Sequence, residues 1–143
     1  MMNAFMHAAV KEAEKAAQLG EVPVGAVLVQ NNKIVYRAHN RTENGMGILA
    51  HAELLILQKA LAVQKLKRLH GFSLYVTLEP CSMCAGAILH ARPDRVYFGA
   101  YDAAAGACGG KYDLLRSTGI EVYGGIMEKE CQALLQNFFK SLR

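Results

Sequence analysis

Along residues 3–19, NAFMHAAVKEAEKAAQL, apolar side chains recur at helical spacing, with Phe5, Ala9, Ala13 and Ala16 on one stripe of an Ala-, Lys- and Glu-rich segment. The pattern predicts a helix stopped by Gly20. It then changes to two strand-like runs, VGAVLVQ (24–30) and KIVYRAHN (33–40). Asn31-Asn32 between them suits a tight hairpin, because Asn tolerates positive φ. A turn-rich stretch, NRTENGMGI (40–48), leads into AHAELLILQKALAVQKL, whose spacing and lack of internal Gly or Pro predict a helix over about 51–66. FSLYVTL (72–78) is β-branched and aromatic and reads as a strand. Pro80 suits a first helical turn, and that helix continues through CSMCAGAILHAR to about residue 91. DRVYFGA (94–100) and the weaker IEVYGG (120–125) are further strands on either side of the Gly/Ala-rich loop YDAAAGACGGKYD, and MEKECQALLQNFFKSLR forms the last helix. The order α-β-β-α-β-α-β-β-α implies an α/β protein: an antiparallel hairpin joined to right-handed crossovers, giving a mixed sheet covered by helices on both faces.

A chain of 143 residues, 52% apolar, can bury one continuous core, so a single domain, 1–143, is expected. No run nears the roughly 18 apolar residues that cross a bilayer, and the start lacks the blocks of a signal peptide. A soluble, cytoplasmic protein without a membrane partner is therefore expected. The four cysteines are too sparse for a disulfide framework and read as thiols or ligands. A net charge of +4 is compatible with a nucleic-acid partner without requiring one.

Two polar words interrupt this apolar background at predicted helix starts: HAE, His51 to Glu53, and PCSMC, Pro80 to Cys84. A lone cysteine is ordinarily a small buried apolar residue and a lone histidine a satisfied core or surface group. In combination they point to a metal. Cys81 and Cys84 in a first helical turn put both sulfurs on one face, at a helix end whose free amides lower a thiol's pKa. Soft sulfur with imidazole selects zinc over magnesium or calcium. His51, Cys81 and Cys84 leave a fourth tetrahedral position for water, the mark of a catalytic zinc, whereas Cys108 or Cys131 as a fourth ligand would make the site structural. Glu53 could move protons at such a site. In a helix interior it would point about 200° away from His51, but at a helix start that constraint relaxes. The plainer reading of Glu53 is an exposed first-turn glutamate favoured by the helix dipole.

H-x-E with P-C-x-x-C is the signature of the zinc-dependent nucleobase deaminases. The words EVPVGAVLV (21–29), HNRT (39–42), AHAE (50–53), LYVTLEPCSMCAGAILHAR (74–92) and VYFGAYDAAAG (96–106) more narrowly resemble the bacterial tRNA-specific adenosine deaminases, over nearly the whole chain. The resemblance implies a three-layer α/β/α cytidine-deaminase-like fold with a five-stranded sheet, a homodimer, and one zinc per subunit. It also implies conversion of adenosine to inosine at the wobble position of an arginine tRNA, held by its anticodon stem-loop. By position it makes His51, Cys81 and Cys84 the zinc ligands and Glu53 the proton shuttle. It sets Asn40 against the target nucleoside, Val24 and Leu78 around the base, Asp102 against the RNA beside the target, and Phe138-Phe139 near the anticodon loop. The chain departs from its relatives at Tyr101 and Ala103-Ala104, where they often carry basic residues, and in the short basic stretch after Phe139. Tyr101 then reads as a stacking platform for an unpaired base. Lys65, Lys67 and Arg68, or Lys111, Arg116 and Lys140, are candidates for the thinned phosphate contacts, although short basic runs are ordinarily solvated.

Two other readings use the same residues. A deaminase of a free base or nucleoside, such as guanine or cytosine, shares the metal chemistry and differs only in the flanking words. A noncatalytic zinc-binding partner subunit differs in class, and it leaves Glu53 without a task.

Overall fold

Asn31 and Asn32 both take left-handed backbone, with φ of 53° and 59°, and fold β1 (Gly25–Gln30) onto β2 (Lys33–His39) as an antiparallel hairpin. The computed structural model describes residues 1–142, and Arg143, the end of the predicted last helix, lies outside the described residues. On its other edge β1 pairs antiparallel with β3 (Phe72–Leu78), which runs parallel to β4 (Arg95–Ala100), and β4 runs parallel to the short β5 (Glu121–Tyr123). The result is a five-stranded mixed sheet in the order β2-β1-β3-β4-β5.

Helices cover both faces. On one side α1 (Met2–Gln18) and α4 (Glu128–Ser141) pack Phe5, Met6, Ala9 and Cys131 against Val27, Val29, Tyr75 and Ala100. On the other, α2 (Ala52–Gln64) and α3 (Ser82–Ala91) pack Ile56, Leu57 and Ile88 against Leu28, Leu74, Val76 and Phe98. Central strands buried on both faces must be apolar along their whole length, which is why β1 and β3 read as runs rather than alternations. Each large aliphatic or aromatic side chain fully buried here contributes roughly 1.5–3 kcal/mol. No helix among the described residues is long and apolar enough to cross a membrane.

One departure from the sequence pattern and one expected loop shape the site. Pro80 does not lie in the first turn of α3. Cys81 keeps an extended backbone (φ −74°, ψ 177°) and caps the helix, which begins at Ser82. The connection from β4 to β5, expected as a Gly/Ala-rich loop, contains no α-helix. Residues 101–120 instead fold as irregular turns that bury Ala107, Leu115 and Ile120 in the core beneath α2 and α3. Cys108, in the glycine-rich part of this segment, bridges to Asp113 rather than lying in a free loop.

Candidate metal centre and active site

The N-termini of α2 and α3 meet at the end of the sheet where the central strand β3 ends and β1 begins. His51 is the N-cap of α2, extended at φ −71° and ψ 148°, as Cys81 is of α3. An N-cap residue precedes the helical repeat, so His51 and Glu53 escape the 200° divergence of an interior i, i+2 pair. His51 Nδ1 lies 3.8 Å from Cys81 Sγ and 3.5 Å from Cys84 Sγ. A tetrahedral zinc bonded to sulfur at about 2.3 Å and to imidazole nitrogen at about 2.0–2.1 Å sets N and S about 3.6 Å apart. The three donors therefore fit one zinc ion. Among the described residues no further His, Cys, Asp or Glu joins the group, and all four cysteines are free.

The protonation pattern favours metal capture. Hydrogen bonds from Cys84 and then His51 hold the Cys81 thiol down to about 3, while the bond to Cys81 and burial push Cys84 well above the usual thiol range. His51 is raised, chiefly by its hydrogen bond to Cys81. A metal requires both sulfurs as thiolates, and the lowered Cys81 thiol favours that state.

Glu53 is buried at 3% exposure, and its Oε1 is the one fully buried side-chain N or O without a hydrogen-bond partner among the described residues. Burial pushes its carboxyl up to about 7. An orphaned buried oxygen carries a desolvation cost of ~1–3 kcal/mol and is the exception in native interiors. Here it lies in a pocket of about 370 Å³ shared with His51 and Cys81, ready for a partner that arrives with the reaction.

That pocket has two walls, each pinned by a buried carboxylate. Glu21, fully buried, accepts Glu43 N (3.0 Å) and Thr42 Oγ1 (3.2 Å) and also bonds Asn44 Nδ2, fixing the 40–44 turn. Burial alone would raise the Glu21 carboxyl, but the donors on Glu43, Asn44 and Thr42 outweigh it and hold it below the ordinary range. Glu79 accepts Asp102 N (2.9 Å), Cys108 N (2.9 Å) and Gly110 N (2.7 Å), fixing the 102–110 segment. A Cβ at Gly106 or Gly110 would overlap the Glu79 carboxylate, so the segment closes on it only with glycine at both positions. Gly106 in turn bridges to Cys81, and Ala107 N donates to Pro80 O at 2.8 Å, seating this wall directly on the metal centre.

Of the residues singled out in the sequence, Val24, Asn40, Leu78 and Asp102 line the pocket with His51, Glu53 and Cys81. Asn40 is buried and its Oδ1 accepts Ala52 N at 2.8 Å, capping α2 and leaving its NH2 without a protein partner among the described residues. Asp102 also caps its own turn, accepting Ala104 N (3.0 Å) and Ala105 N (3.2 Å). Tyr101 is elsewhere: its ring stands edge-on to Phe98, centroids 4.9 Å apart, and lines a separate pocket with Arg116. Phe138 and Phe139 form an edge-to-face pair on α4, also outside this pocket. The sequence pattern did not mark Val22, Thr42, Glu43, Ile48, Glu79 and Ala105 as lining residues. Ile48 had a usable signal, an apolar residue after two glycines in a polar turn; it is 81% exposed at the pocket.

A five-stranded α/β/α sheet with a His-Cys-Cys group and a buried glutamate at the ends of its central strands defines a zinc-dependent deaminase. Residues 1–100 match the cytidine and deoxycytidylate deaminase zinc-binding region, and the chain belongs to that family. It is 46% identical over 143 residues to the tRNA-specific adenosine deaminase of Bacillus subtilis, covering 97% of this chain and 89% of that protein. A solved structure from work on A-to-I editing by tRNA:A34 deaminases at the wobble position of transfer RNA superposes with a TM-score of 0.85 at 40% identity, covering 92% of this chain and 99% of that one. Guanine deaminase from Bacillus subtilis is similar over less, with a TM-score of 0.66 at 34% identity, covering 75% of this chain and 69% of that one.

Proposed function

We propose that this protein deaminates adenosine to inosine at the wobble position of a tRNA, with an arginine tRNA as its substrate. The carrying observation is the buried, unpartnered Glu53 Oε1 beside the His51-Cys81-Cys84 group, at a pocket large enough for a purine. His51, Cys81 and Cys84 hold the zinc, which when bound lowers the pKa of a coordinated water toward neutrality.

The chain's own residues do the rest. Glu53 takes a proton from the attacking water and delivers it to N1 of the adenine; it then carries the second proton to the departing amino group, so ammonia leaves and a carbonyl remains at C6. Burial raises the Glu53 carboxyl, which favours its taking up the proton it must then pass on. Val24 and Leu78 bound the base with apolar surface, and the free NH2 of Asn40 is available to a ribose or base oxygen. Asp102, which also lines the pocket, serves the neighbouring nucleotide. A tRNA loop base lacks a duplex partner, so turning it into the pocket costs little compared with extrusion from a helix. This reading takes residues 1–143 as one deaminase domain, working as a homodimer in the cytoplasm.

The test is to incubate zinc-loaded protein with an arginine tRNA bearing a wobble adenosine and reverse-transcribe it. An A-to-G readout is expected with wild type and not with Glu53→Gln. Turnover of free guanine or cytosine without any change in the tRNA would replace this reading with free-base deamination.

A further inference from the structure

Beside the metal pocket, the edge strand β2 carries a second concavity that the chemistry above does not use. Asn40 lines the metal pocket, while its sequence neighbours His39 and Arg41 line a groove of about 310 Å³ with Arg37, Lys59, Leu55 and Glu12. The fixed cations come from places that only the fold unites: Arg37 from β2, Arg41 from the turn after it, and Lys59 from α2. All three are exposed, and none joins an ion pair among the described residues. The one carboxylate lining the groove, Glu12, is already held by Lys15 at 2.6 Å. Lys59 Nζ lies 5.9 Å from the centroid of Tyr36, a contact that orients the ammonium without neutralising it.

Three unneutralised cations around one groove match a chain of negative charges, and the position next to Asn40 says which chain. A nucleic acid whose base enters the metal pocket must carry its backbone past the pocket's rim, and the opposite rim, DAAAG (102–106), offers no cation. We propose that Arg37, Arg41 and Lys59 form a phosphodiester-binding shoulder that grips the RNA backbone adjacent to the target nucleotide. The proposal rests on the RNA-deaminase reading. It assigns to the shoulder affinity and register, not base identity, as phosphate contacts do in general.

The experiment is salt-dependent binding of a fluorescent anticodon stem-loop, read by anisotropy, which needs no turnover. The double variant Arg37→Ala/Lys59→Ala leaves the pocket residues intact and changes only exposed side chains. Lys11→Ala/Lys129→Ala removes the same charge from the α1/α4 layer as a control. Each lost phosphate contact removes about 0.7 from the slope of log affinity against log salt, so two remove about 1.4 and weaken binding about 25-fold at 0.1 M salt. The groove variant is expected to show that loss, with raised KM, unchanged kcat and full zinc content, while the control keeps the wild-type slope. Equal slopes and affinities for wild type and groove variant, or an equal loss in the control, would overturn the proposal. So would tight binding of inorganic phosphate that the variant abolishes while stem-loop affinity stays unchanged, which would mark a small-anion site. A wild type that binds the stem-loop without converting it would sink the deaminase reading instead, and the slopes would still judge the groove.

Discussion

Replacing Glu79 tests how the pocket is built, because one side chain holds an entire wall of it. Its carboxylate is 2% exposed and accepts the amides of Asp102, Cys108 and Gly110 at 2.7 to 2.9 Å. Hydrogen bonds to a charged group contribute about 1.5–3 kcal/mol each, and a buried donor left bare costs about 1–3 kcal/mol. Glu79→Ala strands three donors at once. Their segment runs along the surface and can admit water, so the lower end of the range applies, and a loss of about 3–5 kcal/mol is expected. Against the ~5–15 kcal/mol that ordinarily separates folded from unfolded chains, this is a severe lesion. Glu79→Gln keeps the shape but has a single acceptor oxygen, and its NH2 then confronts backbone N–H groups. It should lose about 2–4 kcal/mol, which separates charge and acceptor count from packing. The assay is urea unfolding at fixed zinc concentration, since bound metal contributes to the apparent stability, joined to amide hydrogen exchange. Exchange should accelerate at residues 102, 108 and 110 before it does in β3 or β4. An alanine variant within about 1 kcal/mol of wild type, with those amides still protected, would refute the idea that Glu79 organises this wall.

Glu53→Gln should keep one zinc per chain by elemental analysis, yet lose turnover by at least the ~10²–10⁴-fold typical of general acid–base catalysis; near-native activity would remove Glu53 from the proton path. His51→Ala or Cys81→Ser should lose stoichiometric zinc and all activity. Stripping the metal with a chelator should likewise stop turnover while far-UV circular dichroism stays native, because neither hydrophobic layer counts a proposed zinc ligand among its buried members; collapse of the spectrum would make the zinc structural. Glu21 has a folded pKa below its ordinary value of 4.5, so its contribution is complete above that pH and is lost as pH falls through the lower folded value. Glu21→Gln should therefore flatten the acid side of a stability profile below about pH 4.5, followed by circular dichroism, and an unchanged acid limb would remove Glu21 from it.

What was readable from sequence was local. The hairpin followed from two consecutive asparagines, which enter left-handed backbone more readily than most non-glycine residues. The strands β1 and β3 followed from apolar runs, and the helices from spacing and terminators. Pro80 misled because its fixed φ fits either a first turn or the extended stretch before one, and only the demand that Cys81 cap α3 decides between them. The segment after β4 was equally opaque. Its glycines marked only a loop, but Gly106 and Gly110 are there because Glu79 occupies the space a side chain would need.

By itself the sequence determined the chemistry available: an imidazole, two thiols and a carboxylate in two short words, each placed at a helix start by neighbours within a few residues. Donor type and local spacing follow from covalent connectivity, so they survive without knowledge of the fold. The tertiary structure alone decided that the two helix starts meet at one end of the sheet, and that Thr42, Ile48 and Ala105 wall the same pocket. It also sent Tyr101 to a different one and gathered Arg37, Arg41 and Lys59 around a common groove. Those juxtapositions depend on strand order and on how long connections close. Both are settled by the summed burial of two hydrophobic layers, which no short stretch of chain encodes.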